Sequence, residues 1–135
     1  PEGLKPIFHL SFPVHDLEGG IAFYTRTLGG TLGRRELEWA DIALFGAQVT
    51  LQLAPSNVTD PMPRTRHFGA TLGWSDWQSL TARLTEFVEP PVISYQLTEQ
   101  EQAKAMIRDP SGNLIEIKAY RNPAAVLRGL AAEQA

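Results

Sequence analysis

The sequence contains no cysteine. That excludes disulfide scaffolds, thiolate zinc sites, iron–sulfur clusters and cysteine nucleophiles. An excess of positive charge is also missing. Twelve Lys and Arg stand against fifteen Asp and Glu, a formal net charge of −3, with no basic cluster. Nucleic-acid binding therefore lacks its usual electrostatic driver. No apolar run approaches the roughly 18 residues that a membrane span needs, and the opening PEGLKPIFHL shows no signal-peptide pattern. The expectation is a cytoplasmic protein that binds neither nucleic acid nor membrane. Histidine is present three times, so the positions of those rings are the ones to follow. The length of 135 residues allows one domain, or two half-size modules sharing a core.

What is present is a pattern that occurs twice. Ile7–Val14 is rich in apolar residues and reads as a strand. Asp16 is placed to cap a helix, along which Leu17, Ile21, Tyr24 and Leu28 form one apolar face, and Gly29-Gly30 ends it. Thr31–Leu37, Asp41–Phe45 and Gln48–Ala54 read as three short strands. The Pro-rich stretch Pro55–Arg64 reads as a connector. Then Arg66–Leu72 reads as a strand. Ser75 or Asp76 can cap a helix to about Val88, with Trp77, Leu80, Leu84 and Phe87 on its inner face. Val92–Leu97, Ala103–Arg108 and Leu114–Tyr120 follow as strands. Asp109-Pro110-Ser111-Gly112-Asn113 is the turn between the last two. Asn122-Pro123 opens a short helix. The order strand, helix, three strands thus repeats.

Strand side chains alternate between two faces. Phe8, Leu10, Phe12 and Val14 lie opposite His9, Ser11 and Pro13. The same rule sets Val49, Leu51 and Leu53 opposite Gln48, Thr50 and Gln52. It sets Phe68, Ala70 and Leu72 opposite His67, Gly69 and Thr71, and Ile115 and Ile117 opposite Glu116, Lys118 and Tyr120. A sheet curved with its polar faces inward is a cup lined by His9, Ser11, Thr50, Gln52, His67, Thr71 and Glu116. Two histidines and a carboxylate are the donor set of a facial triad, which leaves positions on an octahedral ion for substrate. His15 reads as a loop residue. Phe23, Tyr24, Trp77 and Phe87 read as core, and Trp39 as a candidate for the rim.

With these motifs the chain resembles the vicinal oxygen chelate superfamily, which includes glyoxalase I, extradiol dioxygenases, fosfomycin resistance proteins and bleomycin-binding proteins. The resemblance runs from about Ile7 to Tyr120. It is carried by the histidine of the first strand, by Ile21-Ala22-Phe23-Tyr24 with Leu28-Gly29, and by Asp109-Pro110-Ser111-Gly112-Asn113-Leu114-Ile115-Glu116. It implies an α+β fold in which two βαβββ modules pair into a curved, cup-shaped mixed sheet with helices outside. The modules would be residues 6–54 and 65–120, joined by the linker 55–64 and followed by a helical tail, 121–135. It also implies His9, His67 and Glu116 as ligands of a divalent metal, with Gln52 at the fourth ligand place. Fe(II) is the favoured ion, with Mn(II), Ni(II) or Zn(II) as alternatives.

The opening HLSFPVHDL, His67-Phe68-Gly69 and Trp74-Ser75-Asp76-Trp77 are most similar to predicted extradiol-type dioxygenases. That resemblance implies cleavage of a catecholic or enediol small molecule bound through two vicinal oxygens. Gln52 and Met106 stand where such enzymes often carry proton-transferring residues, so Tyr120 or Tyr95 becomes the candidate for that task. Ser11, Gln52 and Tyr120 are the candidate catalytic residues. Three other activities remain open: a fosfomycin-type thiol transferase, a glyoxalase-like lyase or isomerase, and a non-catalytic antibiotic-binding module. The acidic stretch Tyr95–Lys104 opposes a phosphonate guest. A homodimer is the expected assembly.

Overall fold

The structure is a computed structural model and describes residues 3, 5–54, 61–84, 91–96 and 101–130. The chain divides into two compact units. One comprises Pro1–Arg66 with Arg108–Leu114, the other His67–Ile107 with Ile115–Ala135. Each contains an open, mixed, four-stranded sheet with a helix, which is the α+β module expected above.

In the first unit the strands are β1 (His9–Val14), β2 (Thr31–Arg35), β3 (Trp39–Leu44) and β4 (Ala47–Leu53), in the spatial order β1-β4-β3-β2. β1 runs parallel to β4 from His9↔Gln48 to Val14↔Leu53, and β3 runs antiparallel to β4. Phe45 and Gly46 both have positive φ, 50° and 77°, as a tight hairpin between twisted strands requires. Phe12, Val14, Ala40, Ile42, Leu44, Val49 and Leu51 are buried on one side of this sheet. Helix α1 (Leu17–Ala22) packs on β3 and β4. Gly20 permits the approach, since a Cβ there would stand 3.1 Å from Leu51 Cδ1.

The helix differs from the single α-helix expected to Leu28. Asp16 takes the N-cap position but makes no side-chain capping bond. After Ala22 the chain widens into a π-helical turn, Phe23–Thr27, closed by Leu28 N–H donating to Phe23 O at 3.1 Å. The neighbours Phe23 and Tyr24 are both buried, with ring centroids 5.0 Å apart and near edge-on. Tyr24 donates to Asp109 Oδ2 at 2.7 Å.

Asp109 accepts three more bonds, from Ser111 N, Asn113 N and Asn113 Nδ2, at 2.8, 2.9 and 2.9 Å. Asn113 Nδ2 also reaches Pro13 O, and Ser111 Oγ accepts from His15 N. The segment Asp109–Asn113 is thus a turn, as expected, and also the anchor of β1 and of the Tyr24 ring in this unit. Burial, and then the Asp109 carboxylate, push the Tyr24 phenol well above its ordinary 10.0.

The second unit contains β5 (Phe68–Leu72), β6 (Val92–Gln96), β7 (Gln102–Arg108) and β8 (Leu114–Tyr120), in the order β5-β8-β7-β6. β5 runs parallel to β8 from Phe68↔Ile115 to Leu72↔Ala119. Helix α2 (Trp74–Arg83) buries Trp77 and Leu80, and Leu84 is buried just beyond it. Trp77 Nε1 donates to Ile117 O at 2.7 Å, joining the helix to the central strand. The cap of α2 is Gly73, not Ser75 or Asp76. Trp77 N–H donates to Gly73 O at 2.9 Å, so the first turn opens there, and Asp76 lies within it, where a carboxylate suits the helix dipole. Helix α3 (Pro123–Val126) has Pro at its first position, as read from the sequence. Residues 55–60 of the connector, the helix end with Phe87, the 97–100 stretch and the tail 131–135 lie outside the described residues, as does the Tyr95 side chain.

Replacing Tyr24 by Phe removes one donor from the buried Asp109 carboxylate. It should cost about 1–3 kcal/mol in urea unfolding. Because the Tyr24 pKa is raised in the folded state, wild-type stability should be intact below pH 10 and fall as pH rises above it, and Tyr24→Phe should flatten that fall. An unchanged unfolding midpoint and the same alkaline slope would contradict the anchor.

Candidate functional site

On β8 the period of two puts Ile115, Ile117 and Ala119 in the core, while Glu116, Lys118 and Tyr120 take the other face half-buried. His67 lies one residue before β5, since the ladder to β8 starts at Phe68↔Ile115. Its Nε2 stands 3.2 Å from Glu116 Oε2. The Glu116 side chain is 15% exposed and that of His67 35%. Lys118 Nζ lies 4.0 Å from the same Glu116 oxygen and 5.9 Å from the Tyr120 ring centre.

Gly69 pairs with Glu116 in register, and a Cβ at Gly69 would run into the Glu116 carbonyl oxygen, with the Glu116 nitrogen at 2.9 Å. The missing side chain lets β5 close on β8 at the site.

The open face of the first sheet carries His9 and Ser11 on β1, Gln48, Thr50 and Gln52 on β4, and Trp39 and Asp41 on β3. The registers His9↔Gln48, Ser11↔Thr50↔Asp41 and Pro13↔Gln52↔Trp39 align them. His9, Ser11 and Gln52 are exposed. His9 Nδ1 is 3.1 Å from Gln48 O. A carbonyl only accepts, so Nδ1 is the donor in this contact, and in the neutral ring Nε2 carries the lone pair, a tautomer that can bind a metal.

Asp41 and Arg34 take part in this face without having been singled out in the sequence. Thr50 Oγ1 donates to Asp41 Oδ1 at 2.7 Å and Arg34 Nε donates to Oδ2 at 2.9 Å. The Thr50 hydroxyl, followed by Arg34, holds the Asp41 carboxyl below its ordinary 3.8, against the opposing effect of burial. The signal was present in Trp39-Ala40-Asp41-Ile42, where Asp41 alternates with buried Ala40 and Ile42. His15 is a loop residue beside Ser111, as expected.

The donors fit a divalent ion. Two ligand atoms cis on one ion, each about 2.1 Å from it, stand roughly 3 Å apart, and the His67–Glu116 separation is 3.2 Å. Among the described residues no group of three or more His, Asp or Glu side chains is gathered for an ion. Among the described residues the His67–Glu116 pair thus offers two donor atoms at that spacing.

A family model described as the glyoxalase/bleomycin resistance protein/dioxygenase superfamily matches residues 7–117. The chain belongs to this superfamily. Many members are metal-dependent enzymes acting on small molecules, which is the setting for a His–Glu donor pair. Among solved structures, the chain is similar to a glyoxalase/bleomycin resistance protein/dioxygenase from Alicyclobacillus acidocaldarius. The identity is 28%, the TM-score is 0.71, and the match covers 86% of this chain and 92% of that one. The fosfomycin resistance protein FosX from Listeria monocytogenes shares the fold at 13% identity and TM-score 0.68, over 86% of this chain and 93% of that one. Lactoylglutathione lyase from Agrobacterium tumefaciens does so at 18% and 0.63, over 87% and 96%. No curated protein matches the chain. Among the described residues, no helix of this superfamily member is long and apolar enough to cross a membrane.

Gly69→Ala should force β5 from β8 beside Glu116 and cost about 1–3 kcal/mol in chemical unfolding. A variant as stable as wild type would contradict the close strand approach.

Proposed function

We propose that the protein is a metal-dependent enzyme with His9, His67 and Glu116 as ligands, which cleaves a catecholic or enediol small molecule in the extradiol manner. The observation that carries this reading is the 3.2 Å approach of His67 Nε2 to Glu116 Oε2, at the spacing of two cis ligands. The anchored tautomer of His9 supports its part in the set. Two imidazoles and one carboxylate are the donor composition of Fe(II) oxygenases.

When bound, the ion supplies Lewis acidity that lowers the ionisation cost of the substrate hydroxyls. The chain's own residues do the rest. Glu116 on β8 and His67, one residue before β5, hold one side of the centre, next to the β5–β8 ladder. The Lys118 ammonium, 4.0 Å from Glu116 Oε2, places positive charge where a diol loses its protons. Ser11 and Gln52 orient the substrate by hydrogen bonds, which Gln52 can do without moving a proton. Tyr120, on the same β8 face as Glu116, transfers the proton at its phenol oxygen. The active form is a homodimer.

The test is anaerobic loading with Fe(II), addition of a catechol panel, and measurement of oxygen uptake together with the absorbance of ring-cleaved product. Wild type should retain the ion and consume oxygen with at least one catechol. His9→Ala, His67→Ala and Glu116→Ala should each lower ion affinity and rate by about 100-fold or more. Ion retention without oxygen uptake would move the reaction to non-redox lyase or transferase chemistry. A wild-type protein that retains no divalent ion would contradict the reading.

A further inference from the structure

Arg34 is aimed and held in a way that a plain surface ion pair does not require. The register of β2 against β3 slips between Leu32↔Ile42 and Arg35↔Ala40, leaving one extra residue on β2. This is a β-bulge, a device that re-aims side chains. Leu32 and Arg35 both turn toward the helix side, where Arg35 pairs with Glu18 of α1. Arg34 is left on the open face, over Asp41.

Its guanidinium is then fixed from two directions. Nε donates to Asp41 Oδ2 at 2.9 Å, Nη2 lies 2.8 Å from the same oxygen in an ion pair, and Cζ lies 5.0 Å from the centre of the Trp39 ring. Asp41 is itself held by Thr50. The Asp41 side chain is 9% exposed and that of Arg34 72%, so the carboxylate is sunk in the sheet and the cation stands above it. Asp41 occupies the side-on edge of the guanidinium. Among the described residues Nη1 makes no hydrogen bond, and the end-on edge of Nη1 and Nη2 faces away from Asp41. That edge is a planar fork matched to the two oxygens of a carboxylate. Because the ring and the buried acid order this long side chain in advance, little of its freedom remains to be lost on binding.

The geometry points to Arg34 as the residue that recognises a carboxylate on the substrate, and so to an anionic diol as the substrate class. This rests on the function proposed above. His9 on β1 aligns through Gln48 with Ala43 on β3, so Asp41 lies two strand spacings across and two residues along the sheet from it, roughly 12 Å. The carboxylate therefore sits on a short arm at the far end of the molecule from the chelating oxygens.

The test compares 3,4-dihydroxyphenylacetate with 4-ethylcatechol, which have the same ring and arm length but differ in the carboxylate. Binding is followed by calorimetry on the full chain, with and without Mn(II). Wild type should bind the carboxylate probe about tenfold more tightly. In Arg34→Met the ratio should fall to near one, and Arg34→Lys, which keeps the charge without the fork, should retain only part of it. Circular dichroism checks that both variants are folded. Equal affinities in wild type, or a preference that survives Arg34→Met, overturn the assignment. Failure of the metal reading has a different signature: the Arg34-dependent preference persists while Mn(II) improves neither probe. If instead only the carboxylate assignment fails, Mn(II) tightens both probes equally in wild type and in Arg34→Met.

Discussion

In each unit the first and last strands of the module lie side by side and parallel, and the rest of the structure depends on that pairing. It brings His67 to Glu116 across 49 residues of chain. It also decides which way every side chain faces. With Phe68 opposite Ile115, the residues Ile115, Ile117 and Ala119 enter the core, and Glu116 is left on the opposite face. A slip of one residue would turn Glu116 into the helix layer and expose both isoleucines. The first unit follows the same logic, with His9, Ser11 and Gln52 on one side of the sheet and Phe12, Val14 and Leu51 on the other. Gly69 shows how tight the requirement is, since the ladder beside Glu116 leaves no room for a methyl group.

A second constraint holds the first sheet to its helix. Asp109 is buried, and an unsatisfied carboxylate in such a place would be strongly destabilising. It is satisfied by four donors, from Tyr24, Ser111 and Asn113. The π-helical turn belongs to the same arrangement, because it accompanies the burial of Phe23 and Tyr24 together. The turn that ends at Asn113 leads directly into β8 and so to Glu116.

Most of the architecture could be read from periodicity. The alternation assigns Phe12, Val14, Val49, Leu51, Ile115 and Ile117 to the buried face, while Phe8 and Leu53 at the strand ends are exposed. The helix residues Leu17, Tyr24, Leu28, Trp77 and Leu80 are buried as their spacing requires. Features decided by pairing or by backbone geometry were not legible. Gly73 caps α2 through its carbonyl, which no side-chain preference announces. The bulge that turns Arg34 onto the open face arises from the match of β2 to β3, and neither strand shows it alone. Asp41 opens the strand expected over Asp41–Phe45, and its place beside Thr50 comes from the pairing of β3 with β4. Asp109 reads as a turn residue, and its role in packing depends on Tyr24, 85 residues away.

The two sheets present different chemistry on their open faces. One offers an imidazole and a carboxylate at ligand spacing. The other offers a histidine on its first strand and, two strands across, a guanidinium held by a buried acid and a tryptophan ring. The central claim is that His67, with Glu116 and His9, ligates a divalent ion. Electron spin-echo spectroscopy of the Cu(II)-loaded protein tests this most directly, because it counts coordinated imidazoles. The account predicts two coupled imidazoles in wild type and one in His67→Ala. A spectrum without imidazole coupling, or one unchanged in His67→Ala, would contradict it.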